Sequence, residues 1–270
     1  MLMWMPYRYR LALLTLALLA LLLTLAWPFS PLPHVSSMTT IWYVSPNGND
    51  ANPSTEAYPF RTIRKAVSMV SGGQTIHLRA GSYHEAVNIS CSGTASQPIT
   101  LCAYPGEHAV LDGTHNLPGS SDCSGALMQI SGSYVIVSDL EIANSTDVNL
   151  AISGSYDTAR RLNVHHAWCG GVLVNGHGAG NVVEGSEVRS NSMRNENASQ
   201  SSWSAGLTAA RAPTQTILRG NRVHNNWGEG LSTFEADHTT IYAGAPVAPA
   251  PTAAPRNMEV CPPPQRRPQP

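Results

Sequence analysis

The sequence predicts an all-β solenoid: a right-handed parallel β-helix closed at its N-terminal end by a capping helix. Three observations lead there. A β-branched anchor recurs at Ile142, Val164, Val188 and Val223, at intervals of 22, 24 and 35 residues. Another apolar position, Leu150, Val172 or Leu231, follows eight residues after three of these anchors. A phrase in which Gly and an apolar residue follow Trp recurs beside them, at Trp168 to Val172, Trp203 to Leu207 and Trp227 to Leu231. Apolar and polar residues alternate at period two around each anchor, which is strand and not helix periodicity. The units lack the Leu ladder of a leucine-rich repeat and are too short for a four-stranded propeller blade. Each reads as a short strand, a polar Asn/Ser/His turn, a Gly and a second short strand.

The first element is set apart from the fold. Arg8 and Arg10 precede an unbroken apolar run, Leu11 to Ala26, followed by Pro28, Pro31 and Pro33. A basic flank, an apolar core and a helix-breaking exit form an export signal. Residues 1–37 are therefore read as a signal peptide, with cleavage near Val35-Ser36-Ser37, or as an uncleaved signal anchor that would be the sole attachment to membrane. The expected location is secreted or cell-surface.

The folded part spans residues 38–243. Tyr43 to Asp50 is a strand running into an Asn/Gly turn. Pro59 opens an amphipathic helix over 59–71, with Phe60, Ile63, Val67 and Val70 on one face and Gly72-Gly73 ending it. A parallel coil exposes an open apolar end, and this helix is placed to cover the first turn. Thr75 to Leu78 is the next strand, and the repeats follow. The long interval before Val223 holds a polar excursion, Asn191 to Ser202, bulging from one corner. From residue 244 to 270, Pro recurs without any strand or helix period, so this segment is read as a disordered tail. Because a repeat stops in mid-course near Tyr242, truncation or a frame-shift is expected. The chain is expected to be monomeric, with end-to-end association left open.

Composition narrows the function. The formal net charge is −1 with 16 Lys and Arg against 17 Asp and Glu, which excludes a binder of nucleic acid held by phosphate charge. Of five cysteines, Cys91, Cys102, Cys123, Cys169 and Cys261, none has zinc-ligand spacing. Export permits disulfides without choosing the pairing, and Cys169, distant from the others, is expected to stay a small buried residue.

The order YVSPNGND, PFRTIRKAV, QTIHLRAGSY and PITLCAYPGE…VLDG resembles the opening of right-handed β-helix proteins of the pectate-lyase-like superfamily, nearest to family-nine polysaccharide lyases and chondroitinase-type lyases. The resemblance covers roughly residues 41–243. It implies a carbohydrate-active protein, and for family-nine lyases a lysine base beside calcium-binding carboxylates. This chain departs from that pattern: its only lysine is Lys65, in the capping helix. Calcium is the cofactor the resemblance implies, and Glu229, Glu235 and Asp237 are candidate ligands, although isolated carboxylates are ordinarily surface groups. No metal site is assigned.

Candidate chemistry follows from facing. With the anchors inward, residues one step later face outward as a column, Ala143, His165, Arg189 and His224. The column one step earlier reads Glu141, Asn163, Glu187 and Arg222. His165, Arg189 and His224 are the catalytic candidates for β-elimination of a uronic-acid polymer: Arg189 would neutralise the carboxylate bidentately, and either imidazole would accept the ring proton. Asn163, Glu187 and Arg222 are the substrate-binding candidates. The Trp corner is expected to close the core, with Trp203 and Trp227 as platforms for sugar faces if they face outward. Glu141 and Glu187, two turns apart, offer the alternative of an inverting glycoside hydrolase. A third possibility is a non-catalytic surface or adhesion coil. The expected function is an exported protein that binds acidic extracellular polysaccharide, with lyase-like cleavage as the reaction if it is an enzyme.

Overall fold

The computed structural model describes residues 40–197, 204–211 and 213–242. The segment expected to be an export signal, Trp203 and the Pro-rich tail lie outside the described residues. Within them the chain is a right-handed parallel β-helix. Its strands form three parallel sheets of eight, six and six strands, in which every neighbour comes from the next or previous coil. One coil shows the pattern: Val135–Ser138 belongs to the first sheet, Glu141–Ala143 to the third and Val148–Ile152 to the second. The next coil repeats it with Thr158–Arg160, Asn163–His165 and Val172–Asn175.

The sequence reading gave two strands per unit, and the structure adds a third just before each anchor. Bends separate it from the anchor strand. Asp139, Arg161, Gly185 and Gly220 occupy the left-handed region at successive coils, with φ of 61°, 51°, 56° and 61°. A single left-handed residue turns the chain while the period-two alternation runs on through the bend, so pattern alone reads one strand where there are two. A second such column follows the anchor strand, at Asn144, His166, Ser190 and Asn225.

The core is a stack of inward rows. Ile142, Val164 and Val188 are fully buried and pair in register, with Val223 continuing the row. Leu150, Val172 and Leu207 form a second row, and Val137, Ala159, Val183 and Leu218 a third. At one corner, Gly132, Gly154 and Gly178 lie so close that a Cβ on each would overlap a carbonyl oxygen of the preceding coil. Burial declines along the coil: Leu231, Phe234, Ile241 and Tyr242 are all exposed.

The capping helix is Ile63–Val67, shorter than the 59–71 segment, because Phe60 instead bridges in parallel to Val44. Ile63 and Ala66 are fully buried against the first coil. Its first-turn donors are met by side chains. Thr62 caps Lys65 N–H at 3.2 Å, and the two Glu85 oxygens accept from Ile63 N–H at 2.7 Å and Arg64 N–H at 3.1 Å. Asp50 accepts from the Arg61 and Thr62 amides, so the Asn/Gly turn is a brace for the cap. Among the described residues no helix is long and apolar enough to cross a membrane.

Cys169 is not a lone buried thiol. It is bonded to Cys123 across a sequence separation of 46. Distance along the chain misled here, because coiling returns the chain to the same corner at each turn, and residues far apart in sequence meet there. Cys91 is free and half-buried.

Candidate functional site

The third sheet carries the predicted strip on its outer face. His165 pairs in register with Ala143 on one side and Arg189 on the other, and Arg189 pairs with His224. One step earlier, Glu141, Asn163, Glu187 and Arg222 align across the same four strands. Each strand contributes only three residues, so the inward anchor fixes the facing of both neighbours.

The two columns join into two carboxylate-centred clusters. Glu141 Oε1 faces His165 Nε2 at 3.2 Å, while its Oε2 faces His108 Nε2 at 3.0 Å and accepts from Asn163 Nδ2 at 3.2 Å. The His165 side chain is only 12% exposed. Burial and then the neighbouring Arg189 hold its pKa below the usual imidazole range, against the opposing pull of Glu141. Two coils on, Glu187 Oε1 accepts from Arg222 Nη1 at 3.0 Å and meets His224 Nε2 at 2.9 Å. The hydrogen bond from His224 is the largest of the influences that keep the Glu187 carboxyl ionised below its ordinary range.

Arg189 lies between these clusters and differs from its neighbours. It is half-buried, and among the described residues it has no carboxylate within ion-pair distance. A guanidinium held on a rigid strand with its fork uncommitted is a ready receptor for an external carboxylate.

The corner beside the strip presents aromatic surface. Trp168 is 44% exposed and Trp227 38% exposed, so these two do not close the core as expected. Small residues fill the corner instead: Ala167 and Asn191 are fully buried there, and Asn191 ties the coils by accepting from Ala167 N–H and from Asn149 Nδ2, both at 3.1 Å. The excursion begins inward, with Asn191 and Ser192 buried before a short turn at Met193–Asn195.

The carboxylates fit calcium poorly. Glu141 and Glu187 are both engaged by imidazole and other donors, and Asp237 faces His238 Nδ1 at 2.8 Å. Among the described residues no group of three or more His, Cys, Asp or Glu is placed to hold a metal ion. The same engagements bear on a hydrolase, which would need Glu141 and Glu187 as its acid and base. Lys65 sits in the cap with its ammonium over the Phe60 ring, away from the strip. Sequence reasoning passed over His108 and His166. Neither falls in an anchor column, and only the distance to Glu141 or His165 marks them.

Residues 42–248 match the family described as Pel9A-like, right handed beta helix region. The chain belongs to the Pel9A-like right-handed β-helix family. It is similar to pectate lyase PEL9 of Emericella nidulans, 33% identical over 208 residues, which is 72% of this chain and 49% of that protein. It is similar also to pectate lyase L of Dickeya dadantii, 23% identical over 214 residues, 76% of this chain and 49% of that one. The chain thus spans about half the length of these curated relatives. Among solved structures, pectate lyase Pel9A superposes with a TM-score of 0.54 at 19% identity, covering 70% of this chain and 56% of that one. A rhamnogalacturonan lyase superposes with a TM-score of 0.51 at 14% identity, covering 73% and 56%. These structural likenesses establish the coil.

Proposed function

We propose that this β-helix binds acidic polysaccharide along the outer face of its third sheet and cleaves it by β-elimination beside a uronate carboxylate. The observation that carries this reading is Arg189, a guanidinium without an ion-pair partner among the described residues, set between two imidazoles that carboxylates hold in place. The pectate-lyase names of the relatives supply the substrate class.

The chemistry divides among few groups. Arg189 binds the uronate carboxylate through its fork, and the withdrawn charge acidifies the proton on the adjacent ring carbon. A neutral imidazole takes that proton. The carbon–hydrogen electron pair forms a ring double bond, the bond from the next carbon to the glycosidic oxygen breaks, and the departing oxygen takes a proton from water. Depressed by burial and by Arg189, the pKa of His165 keeps that ring neutral and able to accept near neutral pH. Trp227 and Trp168 offer faces on which sugar rings can stack. The protein acts outside the cytoplasm, exported by the basic-flanked run Leu11 to Ala26; the Cys123–Cys169 disulfide supports an oxidising destination.

The test is incubation of purified protein with pectic, alginate and chondroitin-type polymers while following the ultraviolet absorbance of unsaturated uronides. Product from at least one polymer is expected, with Arg189→Ala losing it. Absence of product from every uronate would overturn the lyase reading. If the polymer still bound, the chain would be a non-catalytic polysaccharide-binding coil.

A further inference from the structure

The outer face of the first sheet is covered in a place where the face of a coil is ordinarily wet. With Leu101, Val137, Ala159 and Val183 inward, their neighbours Cys102, Ser138, Arg160 and Glu184 point outward in one column. Arg160 and Glu184 keep partial access to solvent, as do the outward Asn163 and Glu187 of the third sheet. Cys102 and Ser138 are both 0% exposed. Such short side chains, standing outward on a sheet, reach zero exposure when another segment lies across them.

The column beside them suits an occupant of that kind. Ile41, Thr100, Ile136, Thr158, Val182 and Ile217 also point outward, and every one is β-branched and half-buried. The stripe runs along the coil axis, across strands whose N–H and C=O groups already pair with the neighbouring coils. A segment laid on it gains from side-chain burial alone and needs no ladder of its own.

Cysteine chemistry names the segment. Cys102 is disulfide-bonded, Cys123 and Cys169 are bonded to each other, and Cys91 is free. The fifth cysteine of the chain is Cys261. We infer that Cys102 pairs with Cys261, and that the Pro-rich segment 243–261 lies as a strap along the outer face of the first sheet. Forming the bridge is a two-electron oxidation: the two thiols give up two protons and two electrons to a donor disulfide, which leaves as two thiols. The inference does not rest on the lyase reading.

Reach and composition agree with it. The described chain ends at Tyr242, in the last strand of that same sheet, five strand steps from the one that holds Cys102. At ~4.8 Å per step the gap is roughly 24 Å. The nineteen residues from there to Cys261 span about 59 Å as polyproline II, so the strap reaches with slack. Polyproline II makes no internal hydrogen bonds and advances ~9.3 Å in three residues, close to two strand spacings. Pro246, Pro249 and Pro255 fall on that period of three and set one edge of the strap against the stripe.

Full-length protein equilibrated with oxidised and reduced glutathione tests this without reference to export or catalysis. After free thiols are alkylated, digestion without reduction should yield a peptide pair joining Cys102 to Cys261, with Cys91 alone alkylated. Alkylated Cys102 and Cys261 would overturn the bridge. A Cys102 linkage that runs as a dimer on a non-reducing gel would put a second copy in place of the strap. Docking is read separately, by tryptic cleavage after Arg256 under native conditions. It should be at least about 10-fold slower in the parent than in Cys261→Ser, because a docked segment is cut only when it opens. That substitution lies outside the coil, so the far-ultraviolet spectrum should match the parent's. Equal cleavage rates would overturn the strap even if the bridge is found.

Discussion

Asp157 and Asn181 stack one coil apart and make the same bond with different chemistry. Asp157 Oδ1 accepts the N–H of Val135 at 2.9 Å, and Asn181 Oδ1 accepts the N–H of Asp157 at 2.9 Å. Both side chains are fully buried. Asn181 uses its amide to donate to Gly154 O at 2.9 Å, whereas Asp157 Oδ2 has no hydrogen-bond partner among the described residues. An ionised carboxylate there is uncompensated, and burial lifts its pKa from 3.8 to about 7.

That rise has a definite sign. The folded state binds the proton more tightly than the unfolded chain, so this group's stabilisation is complete below about pH 3.8 and is lost as pH rises through about 7. At ~1.4 kcal/mol per decade the swing is roughly 4 kcal/mol. Asp157→Asn should remove this dependence and melt higher than the parent above pH 7, because the amide can bond as Asn181 does. Melting curves between pH 5 and about 8 check this; a variant less stable than its parent at the alkaline end would show that the carboxylate is compensated.

The cap is held by polar as well as apolar contacts. Ile63→Asp would set an unpaired charge against the first coil at a fully buried position and should cost on the order of 3 kcal/mol. Glu85→Ala would leave the Ile63 and Arg64 amides without their carboxylate and should cost about 1–2 kcal/mol. Urea unfolding of both variants reads these values, and parental midpoints would dismiss the helix as a structural cap.

Closing a loop across 46 residues, the Cys123–Cys169 bridge should be worth about 2–4 kcal/mol through the entropy of the unfolded chain. Replacing both cysteines by serine should lower the urea midpoint accordingly. No change in midpoint would mean that coil stacking alone holds this corner.

Stability should also vary along the coil. Every residue of Val148–Ile152 is buried, while Glu229–Phe234 is exposed at all but one position. Amide exchange should therefore be far slower in Val148–Ile152 than in Glu229–Phe234. Equal protection would show that the coil opens only as one unit.

The register of the strip was legible because an inward anchor at fixed spacing dictates which neighbours stack: His165 against Arg189 and Glu187 against Arg222 follow from Val164, Val188 and Val223 alone. What sequence did not disclose is what lies across coils from unlike positions. His108 reaches Glu141 from a loop, Cys123 meets Cys169 across the corner, and Glu85 serves a helix more than twenty residues earlier. The Trp corner misled for a related reason. Small buried residues, Ala167 and Asn191, already fill the space that the repeated Trp was expected to fill.

Charge on the strip yields the last prediction. Glu187 occupies Arg222 and His224 together, so of the two arginines on these columns Arg189 alone is left without an ion-pair partner among the described residues. The same carboxylate lies close enough to Arg189 to feel its field, and its negative charge repels an approaching polyuronate. Glu187→Gln removes that charge and releases Arg222, whose side chain is 75% exposed. Affinity for polygalacturonate should therefore rise several-fold at low ionic strength. The gain should shrink towards the parent's value near 0.15 M salt, where the screening length falls to about 8 Å. Electrophoresis through gels containing the polymer, at two salt concentrations, measures both effects. If affinity falls instead, Glu187 is itself a sugar contact, and the substrate-binding role expected of it outweighs its charge.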